Sequence, residues 1–176
     1  MNFNSLKKNT AVKYNKKELK KTVKINRKKP ESIKTVGVLA SSRLFGSYDI
    51  SRNLSQKLNI PHKDLEIIIF ENLKDDFVTQ HYNTFSEKDF GMFAKPKAQN
   101  LIDFINTKYD LLINYCNSES VFGNAVAIRS KSVFKVSFAD EEFKDLYDFT
   151  IEVDANKVDI FNDELAKYLQ ILELIQ

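Results

Sequence analysis

The chain has 176 residues, 43% of them hydrophobic and 21 of them Phe or Tyr, with one cysteine and two histidines. That is one domain's length with ample core material; Cys116 excludes an internal disulfide, and Cys116, His62 and His81 share no metal-ligand spacing. The net charge of +3 hides a split: residues 1–34 carry eleven Lys and Arg27 against Glu18 and Glu31, a net +10, and the remainder carries 15 basic and 22 acidic residues, a net −7.

Residues 1–33 read as a basic N-terminal arm and 34–176 as a single α/β domain, with Pro30 breaking the chain between them. In a helical arm Leu19 and Val23 share one face, beside stripes of Lys16, Lys20 and Lys24 and of Lys17, Lys21 and Lys28. Like charges four apart cost about 0.2–0.5 kcal/mol per pair, so this helix is expected to be weak alone and to form against something negative. The arm has no apolar h-region, too many Lys for an organellar transit peptide, and no apolar run of the ~20 residues that a membrane helix needs. A soluble cytoplasmic protein is expected.

The body then alternates strand and helix. Thr35–Ala40 is an apolar, β-rich run. Tyr48–Leu58 repeats Ile50, Leu54 and Leu58 at spacings of four, with Ser47 or Asp49 to cap it. Leu65–Phe70 is a second strand, and Phe77–Phe93 is either an edge strand or a long loop. Pro96 suits a helix first turn, ahead of Leu101, Ile102 and Ile105 on one face. Tyr109–Tyr115 is a third core strand. Ser118 or Ser120 opens a helix through Val121, Ala125 and Ile128. Ser132–Phe138 and Asp148–Val153 are strands, and Val158–Ile175 is a long amphipathic helix. The rhythm predicts an open, largely parallel sheet of about five strands with helices on both faces, Rossmann-like or flavodoxin-like.

The Lys-rich start, Val36-Gly37-Val38-Leu39, Tyr109–Asn114 and the stretch from Ala127 through Ser130 and Lys131 to Val136 resemble a family of uncharacterised small α/β proteins of the Bacteroidetes. The resemblance spans most of the chain. It implies the same fold, and it supplies no mechanism and no catalytic residues.

In open α/β sheets ligands bind outside the carboxyl ends of the strands. Two loops fall there: one with Ser41, Ser42, Arg43 and Ser47, the other with Asn117 and Ser118. Their hydroxyls, amide and guanidinium suit a phosphate or carboxylate at a helix start. The bland alternative is that they cap helices and turns. Gly37, Gly46, Gly91 and Gly123 form neither GxGxxG nor GxxxxGK[ST], so dinucleotide binding is disfavoured and no cofactor is expected. Cys116 at a strand end is read as a buried hydrophobe rather than a nucleophile, and no catalytic or metal-binding set is assigned. The acidic stretch Asp140-Glu141-Glu142, with Asp145 and Asp148, reads as a solvated loop or as a dock for the arm.

The polycationic arm points to a non-enzymatic, RNA-associated protein bound to the ribosome or another structured RNA, with ribosomal proteins as further neighbours. Its contacts would be Lys7, Lys8, Lys13, Lys16, Lys17, Lys20, Lys21, Lys24, Arg27, Lys28 and Lys29, with Phe3 and Tyr14 available to stack on bases. A small α/β enzyme or ligand-binding domain using the two strand-end loops is the alternative. Peripheral attachment to an anionic membrane is the third.

Overall fold

The computed structural model describes residues 3–22, 29–42, 49–71, 83–116, 120–154 and 157–176. Five α-helices are described: α1 (Phe3–Thr22), α2 (Ile50–Leu58), α3 (Gln99–Asn106), α4 (Val121–Arg129) and α5 (Val158–Ile171). Six strands form one sheet: β1 (Val36–Ser41), β2 (Leu65–Glu71), β3 (Thr84–Ser86), β4 (Leu111–Asn114), β5 (Phe134–Phe138) and β6 (Phe149–Ile151). Their order is β3-β2-β1-β4-β5-β6 and every pairing is parallel. This is the strand order of the doubly wound nucleotide-binding folds, with its switch point between β1 and β4.

The expected elements form close to where their periods place them. Of the two alternatives for the ambiguous stretch the edge strand holds in part: Thr84–Ser86 pair with Ile69–Glu71 and add a sixth strand. Pro96 does not open α3. It bridges back to Phe90, and the helix starts at Gln99. Of the two caps considered for α2, Asp49 accepts from the Arg52 amide at 3.0 Å. Ser120 caps α4, accepting from the Gly123 amide at 3.3 Å.

Successive strand residues feed two cores. Val36, Val38 and Ala40 of β1 join Leu111 and Ile113 of β4 beneath α2 and α5. Leu39 and Leu112 face the other way, beneath α3 and α4. Both faces are covered, as a parallel sheet requires. Tyr109 closes one junction: its ring crosses β1 so that its hydroxyl donates to Glu66 on β2. Gly37 lies under that ring, where a Cβ would come within 2.6 Å of Tyr109 Cδ2.

The largest departure from the sequence reading is α1. It docks on the body through Lys7, Thr10, Ala11, Asn15 and Leu19, all buried. The docking surface is α4, the Met92–Ala94 turn and the Lys144–Leu146 turn. Six consecutive residues of α4, Phe122–Ala127, are buried. A helix apolar all round needs cover on both sides; the sheet gives one and α1 the other. Asn15 Nδ2 donates to Val121 O at 2.9 Å, tying the helices at α4's first residue. The stripe that docks is neutral apart from Lys7, so the arm attaches by packing rather than by charge.

Leu19→Ala, which empties this interface, is expected to cost about 2–3 kcal/mol in urea unfolding, and Lys20→Ala on the opposite face less than about 0.5. Gly37→Ala is expected to cost about 1–3 kcal/mol by pushing against the Tyr109 ring, measured the same way.

Candidate nucleic-acid interface

Docking sorts the arm's cations. Lys13, Lys16, Lys17 and Lys20 recur at helical spacing on the face turned away from the body, and all four are exposed, as are Lys8 and Lys21. Lys7 leaves the expected contact set. It is 6% exposed, and its Nζ donates to Glu87 O at 2.5 Å. Burial, with Lys97 nearby, lowers its pKa. Lys29 is exposed but lies at the end of α5, where it donates to Leu172 O at 2.6 Å. Lys24, Arg27 and Lys28 lie outside the described residues, as does Val23.

The four exposed lysines repel. Pairs at three and four residues cost about 1–2 kcal/mol in sum, and α1 has no acid in its first turn to offset the helix dipole. A polyanion laid along this face relieves both terms.

One flank of α1 borders a cleft of about 620 Å³ whose walls include Lys13, Lys17, Phe93, Lys95 and Arg129. Arg129 reaches it from the end of α4. Its guanidinium lies 4.1 Å from the Tyr14 ring centre, and its Nη2 donates to Phe93 O at 2.9 Å. Tyr14 is therefore covered by a cation of its own chain, and burial raises its pKa. It is not the free stacking ring the sequence suggested; among the described lining residues Phe93, 56% exposed, is the exposed aromatic. Sequence reasoning passed over Phe93, Lys95 and Arg129, because nothing local places them beside residues 13–17.

The strand ends at the switch point look different. Ser41 is half-buried and Ser42 buried, while Arg43, Ser47, Asn117 and Ser118 lie outside the described residues. Asn114 is fully buried. It donates to the Tyr147 hydroxyl at 2.6 Å and accepts from the Cys116 amide at 2.9 Å. Burial pushes the Cys116 thiol up to about 12, against an opposing hydrogen bond from Ser120. Tyr147 is likewise pushed up to about 12 by burial. Gly123 brings α4 so close that a Cβ there would sit 3.1 Å from Cys116 Sγ. Neither Cys116 nor Tyr147 ionises near neutral pH, so the described residues around Asn114 form a packed, uncharged network. His62 is exposed, hydrogen-bonded to Ser51 at 2.9 Å; His81 lies outside the described residues.

In the acidic stretch Glu141, Glu142, Asp145 and Asp148 are exposed. Asp140 accepts from the amides of Glu142 and Phe143, which makes it a turn cap. No described helix is long and apolar enough to cross a membrane.

Strand order and docked basic helix together define an all-parallel, doubly wound α/β protein with a cationic cover. DUF6913, a family of unknown function, matches residues 7–172, and the chain belongs to that family. The match starts within α1, so residues 7–22 of the docked helix lie inside the family's span. No curated protein and no solved structure matches the chain.

Cys116 is expected to resist maleimide at pH 8 in the folded protein and to label rapidly in urea. Because its folded pKa lies above the ordinary thiol value of about 9, its contribution to stability is full below pH 9 and falls as pH rises toward 12. Urea titrations across that range, compared with Cys116→Ala, measure it.

Proposed function

We propose that the protein binds structured RNA, at the ribosome or another large RNA particle, through the outer face of α1. The observation that carries this reading is the arrangement of Lys13, Lys16, Lys17 and Lys20 on the exposed face of a helix whose opposite face is buried in the body. Holding the four ammonium groups on a packed helix removes part of the ordering cost of binding. Contacts of this kind go to phosphates and give affinity with little base selectivity. No catalytic step is assigned. The acidic remainder of the chain then sets orientation, keeping the rest of the surface off the same phosphates by like-charge repulsion.

Truncating the arm is a poor test, because it also uncovers α4. Substitution of Lys13, Lys16, Lys17 and Lys20 by Gln leaves the docking stripe intact. The full-length protein is expected to co-sediment with ribosomal particles at low salt, and the quadruple variant to stay in the light fractions. With about six phosphate contacts, log affinity for RNA falls against log salt with a slope of about −4 to −5, and the variant's slope is shallower by roughly 3. A flat salt response refutes the reading. Flotation with anionic vesicles in place of RNA binding moves the arm's partner to a lipid surface.

A second reading is supported by the strand order: Ser41 ends β1 and Ser42 follows it beside the switch point, where doubly wound folds take ligands. Amide chemical shifts at Ser41, Ser42 and Ser120 during titration with nucleotides and small carboxylates check it, and an unresponsive set of three removes it.

A further inference from the structure

The cleft beside α1 differs in kind from the lysine stripe. A stripe meets phosphates, and an exposed ring has nothing to offer them. Phe93 nevertheless lines the cleft, and its backbone is unusual. Its φ is +56°, and that of Ala94 is +50°. The left-handed region is unfavourable for a bulky side chain and persists only where the surroundings impose it.

The surroundings here come from three parts of the chain. The Phe93 amide donates to Thr10 Oγ1 of α1 at 3.1 Å. Its carbonyl accepts from Arg129 of α4 at 2.9 Å. The neck of the turn is closed by Gly91 N to Lys95 O at 2.7 Å and by the Phe90–Pro96 bridge. The ring is thus presented to solvent on a pinned turn. Beside it stand Lys13 and Lys17 from α1 and Lys95 from the turn itself. The one carboxylate among the described lining residues, Glu18, is paired with Lys21 at 2.7 Å. Arg129 keeps a donor in reserve, since its buried Nε has no hydrogen-bond partner among the described residues.

We propose that this cleft takes an unpaired nucleotide of a single-stranded RNA segment, its base stacked on Phe93 and its flanking phosphates on Lys13, Lys17 and Lys95. This rests on the RNA reading above and narrows it. An aromatic face accepts any base, so the slot reads strandedness rather than sequence. A continuous duplex keeps its bases stacked inside and reaches the lysine stripe alone. The cleft volume lies within the usual range for small-ligand sites, wide enough for one nucleotide. The protein would therefore settle at loops, bulges or ends of a folded RNA, with the stripe holding the adjoining backbone.

The test uses the full-length chain, a labelled single-stranded oligoribonucleotide, and a blunt RNA duplex of the same length, both read by fluorescence anisotropy. Phe93→Ala is expected to weaken single-strand binding on the order of 10- to 100-fold, with duplex affinity and salt slope unchanged. Phe93→Trp is expected to keep the affinity, and its emission to be quenched when the single strand binds. Phe93→Leu keeps the bulk and loses the aromatic face, so it repeats the loss independently of any change in the turn. Unchanged single-strand affinity in Phe93→Ala and Phe93→Leu overturns the slot, as does an equal loss on both RNAs. If the paired change Lys13→Gln and Lys17→Gln weakens both RNAs while the Phe93 variants do not, the slot falls and the cationic face stands. If the unmodified protein binds neither RNA, both fall together.

Discussion

The contact between α1 and α4 is the constraint on which the rest of this structure depends. Phe122–Ala127 are buried from both sides, against the sheet and against α1. Without α1, α4 would present an apolar face to water, and the turn at Met92–Ala94 would lose Thr10, which holds it. A segment that composition marks as a charged tail is thus a layer of the fold. Burial of Ala11 and Leu19, with the Asn15 and Lys7 hydrogen bonds, offsets the repulsion among the outward lysines. Charge is carried here by a helix that packing has already paid for.

That arrangement gives the protein its polarity. A free polycationic tail wraps whatever anion it meets, and its lysines act independently. A docked helix holds its ammonium groups in a fixed line beside one cleft, so a partner must match the line and the cleft at once. The residues that shape the cleft, Thr10, Phe93 and Arg129, are joined by hydrogen bonds between segments 36 and 83 residues apart. Their geometry is a property of the folded body and not of the tail.

Around Asn114, at the end of β4, the described residues of the same body form an uncharged, packed network. Asn114 joins Tyr147 and the Cys116 amide in a network with burial on every side, and Ser137 Oγ donates to Asn114 O at 3.1 Å. On the sheet's other face Tyr115 donates to Asn162 at 2.5 Å, and Asn162 donates to Asn53 at 2.9 Å. Buried polar groups paired this fully specify how helices seat on a sheet. Lys135 belongs to the same logic: buried, it donates to Ala127 O and Ser130 O at 2.8 Å each, satisfying carbonyls at the end of α4. These groups set where α4 ends and therefore where Arg129 enters the cleft.

The core strands and body helices could be read from the chain because their signals are local. Val36-Gly37-Val38-Leu39 and Leu111–Ile113 are short apolar runs, Ile50, Leu54 and Leu58 repeat with the helical period, and Asp49 and Ser120 sit where orphan amides need an acceptor. The arm's charge was equally plain, and so was the body's opposite sign. What the chain alone could not decide was partnership. Leu19 was visible as apolar, yet Lys7, Thr10 and Asn15 carry no mark that they face inward, because a polar residue is buried only when a distant donor or acceptor meets it. Thr84–Ser86 is a strand only because Ile69–Glu71 lie beside it. Phe93 becomes a presented ring only through Thr10 and Arg129. Periodicity and capping determined the elements, since each depends on neighbours within a few residues; the tertiary structure decided which faces meet, since those contacts join segments that sequence distance keeps silent about one another.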